Sequence, residues 1–179
     1  MADYATLIIG GIELPLRSLH YSFSQDYEEL AGISETRMGD GSLSIQQAWP
    51  ADGGYKLRTV ISGEGRIPAP LAGLRRGEPH LVQCAAQMLF SSATPSVALP
   101  SGRRSGGRYD PRGFAVVEGE QVASAITSIV DDVATLTVVA DAQHYQVRIY
   151  PEFTARLTHR ATSQPWQARR GWTLTLDEI

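Results

Sequence analysis

Apolar and polar residues alternate along much of this chain, and that period-2 pattern predicts strands rather than helices. Ala5 to Leu16 is a β-rich apolar run interrupted by Gly10-Gly11, a hairpin signal, with Pro15 marking an edge. From Tyr21 to Tyr27, the residues Tyr21, Phe23 and Gln25 alternate with Ser22, Ser24 and Asp26, as in a half-exposed strand. Gly39-Asp40-Gly41 supplies a turn, Ser42 to Trp49 reads as a further strand, and Pro50 to Gly54 as a loop. Tyr55 to Gly63 alternates well and places Tyr55, Leu57, Thr59 and Ile61 on one face. The apolar run His80 to Ser91 fits one buried strand better than a helix.

The middle of the chain breaks the pattern. Residues 101–108 hold only Ser, Gly and Arg, which predicts a long exposed loop too polar for a core position. Strand character returns at Gly113 to Val117, and Glu118-Gly119-Glu120 reads as a hairpin tip. Gln121 to Val130 is open between a short helix and a strand, whereas Asp131-Asp132 before Val133 to Val139 suggests a hairpin with an acidic turn. His144 to Tyr150, Phe153 to His159 and Trp172 to Leu176 complete the strands. About ten short strands with few helix caps predict an all-β barrel or sandwich carrying a long exposed Arg/Gly loop. The 179 residues fit a single β-rich domain over 1–179, with room for a small second lobe in 113–179.

Composition narrows the function classes. A net charge of −3 argues against a general nucleic-acid binder, which carries a marked basic excess. No run of about 18 apolar residues is present to span a membrane, and Met1-Ala2-Asp3-Tyr4 does not read as the start of a signal peptide. Cys84 is the one cysteine, so no internal disulfide is expected, and its apolar setting predicts a small buried hydrophobe. Of the 16 basic residues only Lys56 is a lysine. Arginine's planar fork suits buried and interface pairing better than lysine's ammonium does.

The search for catalytic chemistry is unproductive. The sequence has no Gly-x-Ser-x-Gly elbow, and His20, His80, His144 and His159 are scattered with no metal-ligand spacing. Lys56 follows a tyrosine rather than a glycine, which removes the phosphate loop. Gly63-Glu64-Gly65 resembles half of a dinucleotide fingerprint, but Pro68 replaces the third glycine, and Pro68 and Pro70 oppose a helix running through that point. A strand-end turn or bulge is expected there instead. Glu28-Glu29, Asp131-Asp132 and Asp177-Glu178 read as solvated turns, because adjacent strand residues face opposite ways. The expectation is therefore a non-enzyme without catalytic residues, metal or cofactor.

Two features remain as candidate interface elements. Arg103, Arg104, Arg108 and Arg112 cluster in and beside the polar loop, where they could grip an acidic partner or simply solubilise the loop. Trp166 follows Pro165 in a polar stretch, which suits an interface anchor, whereas Trp49 and Trp172 sit in strand patterns and are expected in the core.

Met38-Gly39-Asp40-Gly41, then Gln47-Ala48-Trp49, then the run from Lys56 to Pro68 resemble tail-tip proteins of long-tailed bacteriophages. The strand Tyr145 to Tyr150 closed by Pro151, and the final Trp172 to Ile179, are similar to the C-terminal part of the same family. The resemblance covers both ends of the chain; 91–112 contributes nothing to it. It implies a structural protein of the virion tail, made in the bacterial host cytoplasm. The nearest role is the distal tail protein, a β-rich ring former, typically hexameric, that joins tail tube to hub or fibres. The implied partners are other copies of the chain and neighbouring tube, hub and fibre proteins. DNA would pass transiently through the lumen, lined by acidic side chains that repel phosphate. The family has no catalytic residues, so none is carried over. This chain is short for the family, leaving little room for a receptor-binding domain. Alternatives are a tail-tube or tube-completion subunit and, from another class, a carbohydrate-binding β-sandwich module.

Overall fold

The computed structural model describes residues 5–15, 17–18, 21–30, 33–37, 43–47, 56–65, 67–162 and 171–179. The strands are β1 (Thr6–Ile9), β2 (Ile12–Pro15), β3 (Arg17–Ser18), β4 (Tyr21–Leu30), β5 (Ile33–Arg37), β6 (Leu43–Gln47), β7 (Lys56–Glu64), β8 (Pro79–Gln83) and β9 (Met88–Ser92). They continue with β10 (Ser96–Ala98), β11 (Arg112–Val117), β12 (Glu120–Ala123), β13 (Ile126–Val130), β14 (Val133–Leu136), β15 (His144–Ile149), β16 (Glu152–Thr162) and β17 (Gly171–Glu178). One short helix, α1 (Ala69–Ala72), and a single 3-10 turn at Gly107–Tyr109 are the helical elements among the described residues. The fold is all-β as the alternation predicts, and its sheets are open rather than closed into a barrel.

The chain forms two compact units, each discontinuous in sequence. The first holds Met1–Arg17 and Leu81–Phe153; the second holds Ser18–His80 and Thr154–Ile179. The boundary thus falls at Phe153, and residues 113–179 divide between the units.

In the first unit, β12-β11-β15-β9 form one antiparallel sheet and β10-β14-β13 another. Their inner faces share a core of Val97, Leu99, Ala115, Ala134, Leu136, Tyr145, Val147 and Ile149, which makes this part a small sandwich. The hairpins β1–β2, β11–β12 and β13–β14 each turn on two residues with positive φ: Gly10-Gly11, Glu118-Gly119 and Asp131-Asp132. Such turns match the right-handed twist of the paired strands, which is why the pairs Gly-Gly, Glu-Gly and Asp-Asp mark the tips.

In the second unit, β16-β17-β7-β4 run antiparallel. Alternate residues are buried: Leu57, Thr59 and Ile61 on β7, Trp172, Leu174 and Leu176 on β17, and Ala155 and Leu157 on β16. Thr59 enters this apolar face because its hydroxyl is satisfied, accepting from Gln25 Nε2 at 3.0 Å and donating to the Asp26 carbonyl at 3.2 Å.

Several expectations are corrected. The run His80 to Ser91 is two strands, not one, broken at 84–87. There the Cys84 N–H donates to the Pro151 carbonyl at 2.9 Å, and Cys84 and Ala85 are buried, so the chain turns while its apolar side chains stay inside. Of the two readings open for Gln121 to Val130, the strand is the one found, as β12 and β13, whereas the strand starting at Val133 ends at Leu136 and not at Val139. The strand-end turn expected after Gly63 is present, with β7 ending at Glu64 and Gly65 at φ 84°. Beyond it a one-turn helix that was not expected, α1, begins at the prolines, Pro68 as its N-cap and Pro70 in its first turn. Proline is tolerated there because the first N–H groups lack intrahelical partners anyway. Arg160 then closes the other end, donating to the Ala72 carbonyl at 2.7 Å and to those of Leu71 and Leu74.

Of the three acidic pairs only Asp131-Asp132 forms a turn. Glu28-Glu29 lies within β4 and Asp177-Glu178 within β17. Asp177 accepts a two-pronged bond from Arg58, Nε to Oδ1 at 2.7 Å and Nη2 to Oδ2 at 3.1 Å, and that bond raises the Arg58 pKa. Trp49, Trp166, the turn at 39–41 and the loop at 50–54 lie outside the described residues.

Candidate functional site

Strand β15 sends Tyr145, Val147 and Ile149 into the sandwich core, so His144, Gln146 and Arg148 must lie on the outer face of the four-stranded sheet. Register places Arg148 directly opposite Arg112 on β11 and, on its other side, opposite Leu89 on β9. A row of two arginines and a leucine therefore crosses three strands. Arg112 is exposed, and Leu89 retains 49% of its surface.

The row is held in a polar network. The Arg148 guanidinium stands 4.5 Å over the Phe114 ring and donates to Gln121 Oε1. Gln121 Nε2 donates to Gln146 Oε1 at 2.6 Å, and Gln146 Nε2 lies 3.2 Å from His144 Nε2. Like charges opposite one another on neighbouring strands are destabilising. Among the described residues, no carboxylate forms an ion pair with Arg112 or Arg148. The pair is a cationic surface whose repulsion an acidic partner would relieve.

The structure divides the predicted arginine cluster. Ser101 and 105–107 are exposed as expected, but Arg103 and Arg104 turn inward, so the loop does hold a core position. Arg103 Nη1 donates to Asp132 Oδ1 at 2.6 Å and to the Pro100 carbonyl at 2.7 Å. Arg104 is only 7% exposed. Its Nη1 donates to the carbonyls of Thr6 at 2.6 Å and Cys84 at 2.8 Å, with that of Gln83 at 3.5 Å, and its guanidinium stacks 3.5 Å from the centre of the Tyr109 ring. A polar residue enters the interior here because its guanidinium donates to backbone carbonyls there, which need donors when buried. Arg108 lies farther over the same ring, at 5.7 Å.

Tyr109 is braced in turn. Its hydroxyl accepts the Thr6 N–H at 3.2 Å, and its ring meets Tyr150 edge-on at 5.2 Å. Burial pushes its pKa up, but the Thr6 bond and the Arg104 and Arg108 charges outweigh burial and hold it below the ordinary 10.0. Arg103 and Arg104 are thus fastenings of the loop, and only Arg112 of the predicted set joins the exposed row. Trp166 lies outside the described residues. Arg148 and Leu89 were not predicted as site residues; the alternation from His144 to Ile149 carried the signal for Arg148.

Other chemistry is sparse. Among the described residues no three His, Cys, Asp or Glu side chains are grouped to hold a metal ion, and no helix is long and apolar enough to cross a membrane. The second unit has an open depression of about 410 Å³ lined by Ser62, Gly63, Ala161, Thr162, Gly171, Trp172 and Thr173. Its lining has no titratable side chain, and Trp172, 3% exposed, offers little ring face for stacking a sugar. Compared with protein families, curated proteins and solved structures, the chain has no match.

Proposed function

We propose that this protein is a non-enzymatic structural subunit that closes into a ring at the tail tip of a long-tailed bacteriophage, in the role of a distal tail protein. The observation that carries the reading is the Arg112–Arg148–Leu89 row, a cationic and apolar surface with no carboxylate partner of its own among the described residues. Open sheet edges support it. Strand β12 lies at the edge of its sheet with all four residues exposed, and such edges pair readily with another chain. The tail-tip resemblance adds to this, since its segments supply β7, β15 and β17.

In this role the chain works by geometry rather than chemistry. Head-to-tail contacts that close leave a lumen, and the ring joins tube on one side to hub or fibres on the other. Acidic residues facing that lumen would keep DNA from sticking as it passes.

Negative-stain imaging of the purified protein tests the reading. Annular particles of uniform diameter, six copies around, are the expected result. Separate single copies that bind oligosaccharide would overturn it in favour of a carbohydrate-binding module.

A further inference from the structure

The hairpin β13–β14 ends in a tip whose character is the inverse of the arginine row. Its turn residues Asp131 and Asp132 both hold positive φ, 47° and 59°. The strand residues flanking them, Val130 and Val133, are paired and remain 63% and 38% exposed. A two-residue turn of this kind is most relaxed as Asn-Gly, so an Asp-Asp pair accepts backbone strain and places two carboxylates at the tip. Arg103 holds Asp132 Oδ1 and fixes the turn, while Asp131 forms no ion pair among the described residues. The Asp131 carboxylate beside two valines matches Arg112 beside a leucine in the row.

We infer that the Asp131-Asp132 hairpin tip of one copy docks on the Arg112–Arg148–Leu89 row of the next. The inference rests on the ring reading and names its interface. A copy cannot satisfy its own row. The hairpin belongs to the sheet packed on the inner face of β12-β11-β15-β9, whereas the row lies on the outer face. The contact therefore joins two different surfaces, and repetition of such a contact builds a closed ring or an open filament. Asp131 meets Arg112, the freer of the two arginines, since Arg148 is already stacked on Phe114 and bonded to Gln121. Val130 and Val133 cover Leu89.

Charge reversal and cross-linking test this in the full chain. Arg112→Glu and Asp131→Arg should each weaken self-association at least about tenfold by light scattering, and the two substitutions together should restore it. In a Cys84→Ala background, copies carrying Arg112→Cys mixed with copies carrying Asp131→Cys should form a disulfide-linked dimer on mild oxidation. Neither variant alone should give that product in comparable yield. Rings that persist through both reversals, with no mixed dimer, would overturn the docking and leave the ring reading standing. Chains that stay single at every concentration would overturn both.

Discussion

Replacing Arg104 with alanine should destabilise the first unit by about 1–3 kcal/mol, because the part-buried Thr6 carbonyl and the buried Cys84 carbonyl both lose Nη1 as a donor and an unsatisfied buried group costs about 1–3 kcal/mol. The lost packing over Tyr109 adds to this. Arg104→Lys should recover only part of the loss, since one ammonium nitrogen can reach the Thr6 and Cys84 carbonyls as Nη1 does but brings no planar group to stack on Tyr109. Urea unfolding measures the loss. Cys84 gives a local readout: its carbonyl is one of those bonded and its side chain is fully buried, so its thiol should react much faster with a labelling reagent in the variant.

The same substitution should move the alkaline titration of Tyr109 back toward the ordinary value, because the Arg104 charge is among the causes holding it down. Since the folded phenol ionises at lower pH than the unfolded one, its contribution to stability is present above the unfolded value and is lost as pH falls through the folded one. The wild-type protein should therefore gain this increment only at alkaline pH, and Arg104→Ala should show less of it, with the Thr6 bond and the Arg108 charge still acting. Equal pH dependence of the two proteins above pH 10.0 would refute this assignment.

Gly63→Ala should destabilise the second unit by about 1–3 kcal/mol through overpacking. A Cβ at Gly63 would lie 2.4 to 2.7 Å from three atoms of the Trp172 indole, its register partner on β17, so the ring must leave its place. Trp172 is buried, and its displacement pushes the ring toward water. With Trp49 and Trp166 changed to phenylalanine, the remaining emission should shift to the red and the melting temperature should fall. Unchanged emission would mean that the sheet, rather than the indole, gives way.

The strands were legible where burial alternates residue by residue. In β7, Leu57, Thr59 and Ile61 carry the period in sequence and in structure alike, and the Gly-Gly, Glu-Gly and Asp-Asp tips announced their turns. Arg104 was not legible. Its loop is locally polar, and the carbonyls that draw it inward belong to Thr6, 98 residues away, and Cys84, 20 residues away, with no trace in the neighbouring sequence. The break at 84–87 was hidden for a related reason: Cys84 and Ala85 stay apolar through the turn because both remain buried. Arg112 drew notice as part of a cluster, but its true neighbours, Arg148 and Leu89, come from strands that only the fold sets beside it.

Self-association into a ring is most directly tested by the mass of the purified protein, measured by light scattering at two concentrations. A species of six times the 19.5 kDa chain at both concentrations is the expected result. A single 19.5 kDa species at both would contradict it.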